Sequence, residues 1–272
     1  MWKRVEREMT KINQTLAIAL NTFRESVRDK VLYAFFVFAC IITVLGIVLG
    51  SLSIGQELRI IEDLGLSVIA IIGGIITVFT GTNLVYKELD KRTIYVIFSK
   101  PVASWQFILG KYLGMAACIF VVTMLMGIFL LAILWLSEPN HQIQFHLPYL
   151  LGALSLVLIE LLFILAIATF FSTFSTPIMS VIFTLSLWFV GHLGSSLLEL
   201  SNMANNQIAK MVLSGIYWVL PDLAELTRIR LRLTYLDSPS FEILSYLLSY
   251  IAAYVVLLLS LSAVVNERRE FP

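Results

Sequence analysis

Leu147-Pro-Tyr-Leu-Leu-Gly-Ala-Leu-Ser-Leu-Val-Leu-Ile-Glu-Leu-Leu-Phe-Ile-Leu-Ala-Ile-Ala-Thr-Phe-Phe171 carries a single charged side chain, Glu160. As a helix it is apolar on every face, which leaves no side for water and makes lipid its solvent. At a rise of about 1.5 Å per residue, roughly 20 such residues cross a hydrocarbon core about 30 Å thick. Five further stretches of this kind, all without charge, lie at about Val31 to Leu52, Leu64 to Tyr86, Tyr112 to Ser137, Pro177 to Leu198 and Ile243 to Val265. The whole chain follows suit: 59% of its 272 residues are hydrophobic and 14% charged, against roughly 45–50% apolar and about 25% charged in a soluble domain. A soluble core cannot hide that surplus, and sheet edges would go unsatisfied in hydrocarbon. The expected fold is therefore an all-α polytopic membrane protein with six transmembrane helices over residues 31–265. With 19 basic against 18 acidic residues and a net charge of +1, no nucleic-acid partner is expected.

Charge placement sets the orientation. Of the 19 Lys and Arg, only Arg59, Lys210, Arg228, Arg230 and Arg232 fall on one side of the six stretches. The rest fall at the two ends and in the second connection, which puts both termini, 1–30 and 266–272, in the cytoplasm. The first 30 residues lack the order of a signal peptide, so the first helix is expected to stay. Residues 12 to 31 space Ile12, Leu16, Ala19, Leu20, Phe23, Val27 and Val31 along one helical face, with Arg24, Glu25 and Arg28 opposite. This reads as an amphipathic interfacial helix, suited equally to anchoring in the membrane surface and to docking a protein.

The second connection, 87–111, leads charges (Lys87, Glu88, Asp90, Lys91, Arg92) into an apolar set at Ile94, Tyr95, Ile97 and Phe98. Ser99-Lys100-Pro101 breaks it, and Pro101 suits the first turn of the next helix. Apolar Ile97 and Phe98 in a cytoplasmic loop call for a protein cover. Ser172 to Pro177 is a tight polar turn. Residues 199–242 form the one large external segment, in which Arg228-Ile-Arg-Leu-Arg-Leu233 alternates with period two. That pattern suits a short strand, its arginines reaching outer headgroups or an external accessory protein.

Catalytic signatures are missing. No phosphate-cradling G-x-x-x-x-G-K-[ST] loop occurs, His141, His146 and His192 lack zinc-ligand spacing, and no G-x-S-x-G elbow is present. Cys40 and Cys118 sit in apolar runs with neither disulfide nor metal spacing. No enzyme activity, metal site or cofactor is expected of the chain itself. Glu160, in mid-span, is the intramembrane acid; placing it there costs about 2.5 to 3.5 kcal/mol, so it is expected to face the bundle interior. It reads either as a functional group or as interhelical glue, with His192 a candidate partner. Gly46 and Gly50 form a GxxxG, and Gly73-Gly74 a small-residue patch, both suited to close helix contact.

Leu20-Asn-Thr-Phe-Arg-Glu-Ser-Val-Arg-Asp-Lys-Val-Leu-Tyr33, Thr82-Asn-Leu-Val-Tyr-Lys-Glu-Leu-Asp-Lys-Arg-Thr-Ile-Tyr95, Phe98-Ser-Lys-Pro-Val102 and Gly110-Lys111-Tyr112 together resemble the permease subunits of type 2 ABC exporters. Phe170 to Pro177, Phe189-Val-Gly-His192 and Leu220-Pro-Asp222 extend the likeness, which lies nearest the multicopper-enzyme-maturation permeases. The resemblance implies a prokaryotic inner-membrane protein that pairs with a second permease, as homodimer or heterodimer. It also implies a separate ABC ATPase subunit that supplies the ATP and magnesium chemistry. It assigns ATPase coupling to Glu88, Asp90, Lys91, Arg92, Thr93, Ile97, Ser99, Lys100 and Pro101, with lighter contacts from the N-terminal helix. Two other readings stay open at this level: a stand-alone ion-coupled carrier using Glu160 and His192, and a scaffold that holds an external partner through 199–242.

Overall fold

The computed structural model describes residues 2–51, 57–90, 103–137, 143–203, 206–219, 221–237 and 239–268. Among them every regular element is a helix: α1 (Trp2–Val27), α2 (Lys30–Ser51), α3 (Glu57–Asp90), α4 (Ser104–Ser137), α5 (Ile143–Ser172), α6 (Pro177–His192), α7 (Gly194–Met203), α8 (Gln207–Val219), α9 (Ala224–Thr234) and α10 (Phe241–Arg268). Four carry stretches long and apolar enough to cross a membrane: Leu58–Thr82 in α3, all of α4, Leu147–Ser172 in α5 and Phe241–Glu267 in α10. Of the other two expected crossings, the first falls on α2, 22 residues long with the apolar stretch Phe36–Val48 inside it, and the fifth on the shorter apolar helix Pro177–His192.

The stretch from Pro177 to Leu198, expected as one helix, is broken after His192. Leu193 N–H turns back to the Val190 carbonyl, and Gly191 O accepts Leu223 N–H from the returning chain at 3.0 Å. Gly191 and Gly194 leave room there for Leu223 and Asp222, so the carbonyls freed at the helix end find a partner from elsewhere in the fold.

α5 is the centre of the bundle and touches α3, α4, α6, α9 and α10. Leu161 and the run Phe163 to Thr169 are all buried, so even the polar-poor back of this helix is covered by protein. α10 is its opposite: Phe241, Tyr246, Val256, Leu257 and Val264 are exposed, a face left for lipid or another protein. Buried hydroxyls return to their own helices, Thr77 to the Gly73 carbonyl (2.7 Å), Thr169 to Leu165 (2.8 Å) and Thr184 to Ser180 (2.7 Å), so no polar group waits for water inside the bundle at these positions.

The N-terminal helix ends earlier than the sequence suggests. Arg28 N–H and Asp29 N–H turn back to Glu25 and Ser26, and α2 begins at Lys30. α1 also packs on α4, where Gly110 meets Ile18 and Thr15, and Gly114 meets Ala19 and Thr22 so closely that no Cβ fits. Of the two expected glycine contacts, Gly73-Gly74 is tight, against Leu161 and Trp188. Gly46 has only ordinary contact with Leu64, so the GxxxG does not bring a backbone close at that residue.

The period-two stretch Arg228 to Leu233 is not a strand but part of α9. Asp222 Oδ1 accepts the Ala224 N–H (3.1 Å) at its start, and Leu226, Ile229, Arg230, Leu233 and Thr234 form one buried helical face. That face packs on α5 and α3, with Leu233 lying over Gly152. At its C-terminus Asp237 N–H reaches the Arg232 carbonyl and Leu236 N–H reaches Leu233, the Schellman pattern, with Leu236 at φ 60° where glycine is usual. A leucine in that region stores strain of about 1 kcal/mol.

Candidate functional site

Three helices converge on Glu160. The α5 register turns its side chain inward, where it is 3% exposed. Trp188 on α6 donates its indole N–H to Glu160 Oε1 at 3.1 Å. The indole reaches there because the far edge of its ring comes up against Gly74 of α3, where any larger residue would occupy its place. One turn further along α6, His192 Nδ1 stands 3.0 Å from the Trp188 carbonyl, and its Nε2 stands 3.3 Å from Glu160 Oε1.

The carbonyl only accepts, so the neighbours assign the Nδ1 proton to that bond. His192 Nε2 and Glu160 Oε1 then face each other as two lone pairs unless one further proton lies between them. Against the second carboxylate oxygen, Arg230 of α9 brings NH1 to 3.8 Å from Oε2, with its side chain only 10% exposed. An acid from mid-span, an indole, an imidazole and a guanidinium thus form one polar cluster where α5, α6 and α9 meet.

The arginines of the returning segment consequently divide. Arg230 is not a headgroup anchor but a buried partner of Glu160. Arg228 is exposed and bonds Glu225 Oε2 at 2.7 Å, one helical turn back, and Arg232 is exposed. Nearby, Arg59 at the start of α3 lies 5.7 Å from the Tyr235 ring centroid and ties that helix to the end of α9.

The expected Glu160 and His192 pair is present. Trp188 and Arg230 complete it, and neither was legible as part of it. For Trp188 the sequence offered only an aromatic one turn before His192. For Arg230 there was a usable signal: Leu226, Ile229, Arg230 and Leu233 fall at i, i+3, i+4 and i+7, after an Asp222-x-x-Glu225 helix start.

The other expected site residues are scattered. Glu88 and Asp90 stand in the last turns of α3. Lys91, Arg92, Thr93, Ile97, Ser99, Lys100 and Pro101 lie outside the described residues. Arg24, Glu25 and Arg28 are brought together with Asn21 along a 470 Å³ cleft on α1. Phe23, on the other side of that helix, lines a 600 Å³ apolar groove between α1 and α4 with Leu16, Leu20, Trp105 and Phe120.

The family model described as ABC-2 family transporter protein matches residues 16–270. No curated protein matches the chain. A match over nearly the whole length, joined to a bundle of apolar helices, decides the family: the chain belongs to the ABC-2 transporter family. It is a multi-pass membrane protein, in prokaryotes one of the inner membrane, and the transmembrane permease component of an ABC transporter. Such components are generally non-catalytic and associate with an ABC ATPase subunit.

Proposed function

We propose that this ABC-2 permease is the membrane half of an exporter driven by ATP hydrolysis in its separate ATPase subunit. The observation that carries the coupling is the length of α3. Its apolar stretch ends at Tyr86, but the helix continues to Asp90, about 6 Å further at 1.5 Å per residue. A helix that leaves the hydrocarbon without ending is a rigid lever. It carries Glu88 and Asp90 at the head of the basic connection 87–111. That connection is the docking element for the ATPase, with Glu88, Asp90, Lys91, Arg92, Thr93 and Ile97 in contact and Ser99-Lys100-Pro101 fixing the turn.

The rest of the arrangement follows from charge. Six crossings, with α2 and α6 as the first and fifth, place both termini and the 87–111 connection in the cytoplasm and 199–242 outside. α1 lies along the inner membrane surface, its Arg24, Glu25 and Arg28 turned to the headgroups or the ATPase. Two permeases, identical or not, pair around the path, and the exposed face of α10 is available for that contact. Reversing charge at Glu88 and Arg92 together tests the docking element. Loss of ATPase co-purification with normal membrane insertion is expected, and undiminished association with full ATP turnover refutes it.

A further inference from the structure

α1 meets α4 along one tight line, where Gly110 lies against Ile18 and Gly114 against Ala19 and Thr22 with no space for a Cβ. Beside that line the two helices stand apart. The gap is a 600 Å³ groove walled by Leu16, Leu20 and Phe23 of α1 and by Trp105, Leu113 and Phe120 of α4, within the range of about 300–1,000 Å³ usual for small-molecule sites. All of these but Phe23 are exposed, so nothing among the described residues fills the groove.

Its dimensions select an occupant. The apolar stretch of α4 begins at Tyr112, which marks the headgroup level. From Leu113 the groove follows the helix to Val121, about 12 Å at 1.5 Å per residue, close to the depth of one leaflet in a hydrocarbon core about 30 Å thick. Trp105 lies about 10 Å the other way, at the interface, where an indole is at home. A groove that runs from the headgroups down one leaflet fits an acyl chain.

Charge selects the lipid. Arg24 follows Leu20 by one helical turn and Arg28 follows Arg24 by another, so both stand on the flank of α1 that borders the groove. Both are exposed, and neither is ion-paired with a described residue. With Asn21 and Glu25 they line a 470 Å³ cleft in which two positive charges stand against one negative. Guanidinium groups bond a phosphodiester bidentately, and a net anionic lipid balances this cleft where a zwitterion leaves it charged.

We propose that the groove between α1 and α4 binds one anionic phospholipid of the inner leaflet, its acyl chain between Leu20, Phe23 and Phe120 and its phosphate on Arg24 and Arg28. Bound there, the lipid completes the contact that the glycines begin and fixes α1 on α4. The proposal rests on the interfacial position of α1 and the orientation given above.

The probe is phosphatidylglycerol with brominated acyl chains, which quench an indole on contact. The full chain in phosphatidylcholine nanodiscs receives increasing fractions of brominated phosphatidylglycerol or of brominated phosphatidylcholine, and tryptophan fluorescence is followed. A saturable component is expected to half-quench at an about tenfold lower fraction of phosphatidylglycerol, the effect of two arginines partly offset by Glu25. Trp105→Phe should remove that component. Arg24→Gln with Arg28→Gln should abolish the preference, and Arg24→Lys with Arg28→Lys should keep most of it. Ala117→Phe, at an exposed position in the groove wall, should abolish saturation with both arginines present. Equal half-quenching by the two lipids overturns the site, as does a preference that survives Ala117→Phe, which is surface attraction alone. Labelling of Arg24→Cys by an impermeant maleimide in intact cells, in a Cys40→Ala/Cys118→Ala background, overturns the orientation instead and leaves the quenching result standing.

Discussion

Arg230→Met and Glu160→Gln, singly and together, give a test whose sign follows from burial. At 3.8 Å the pair's attraction is about 4 kcal/mol at an effective dielectric constant near 20. Arg230→Met leaves a carboxylate that is 3% exposed without its cation, a loss of about 3–5 kcal/mol. Glu160→Gln is milder. The amide oxygen still accepts the Trp188 N–H, and Arg230, its side chain 10% exposed, can reach water along its long stem, so the loss is about 1–2 kcal/mol.

The double variant buries no charge. It is expected to be more stable than Arg230→Met alone, by about 2 kcal/mol, although it carries one more substitution. The assay is reversible unfolding of the purified chain in mixed micelles by increasing sodium dodecyl sulfate, followed by circular dichroism. A double variant whose loss equals the sum of the two single losses would refute the cluster as described.

Gly74→Leu removes the space in which the Trp188 ring lies; it should lower stability in the same detergent unfolding assay by about 1–3 kcal/mol through overpacking and shift the indole fluorescence, whereas Gly46→Ala, with only Leu64 at 3.9 Å, should be nearly silent in both. Gly114→Val puts a side chain where the Ala19 carbonyl lies, so α1 should detach from α4 and become cleavable by added trypsin at Arg24 or Arg28; unchanged protection would show that α1 is not held there.

The lipid solvent, the helical class and most helix positions were legible in the sequence because hydrocarbon makes them local decisions. Every backbone group must be satisfied within its own segment, so an uncharged run of sufficient length has only one outcome. Glu160 was legible for the same reason, as an acid whose burial needs an explanation. The segment from Leu223 to Thr234 was not, because its charges and apolar residues fit two periods at once. Ile229, Leu231 and Leu233 alternate as in a strand, while Leu226, Ile229, Arg230 and Leu233 share a helix face. Only packing chooses between them, since just one of the two sets finds Gly152 and Glu160 opposite.

The break after His192 has the same origin. Gly191 and Gly194 flank it, but what fills the space beside them, Leu223 and Asp222, comes from a distant part of the chain. The sequence by itself determined what must leave water, because that depends on each segment's own chemistry. Which groups meet inside was decided by the tertiary structure alone, because the Glu160 cluster joins residues from three helices whose distances are set by glycines and by the seating of α9.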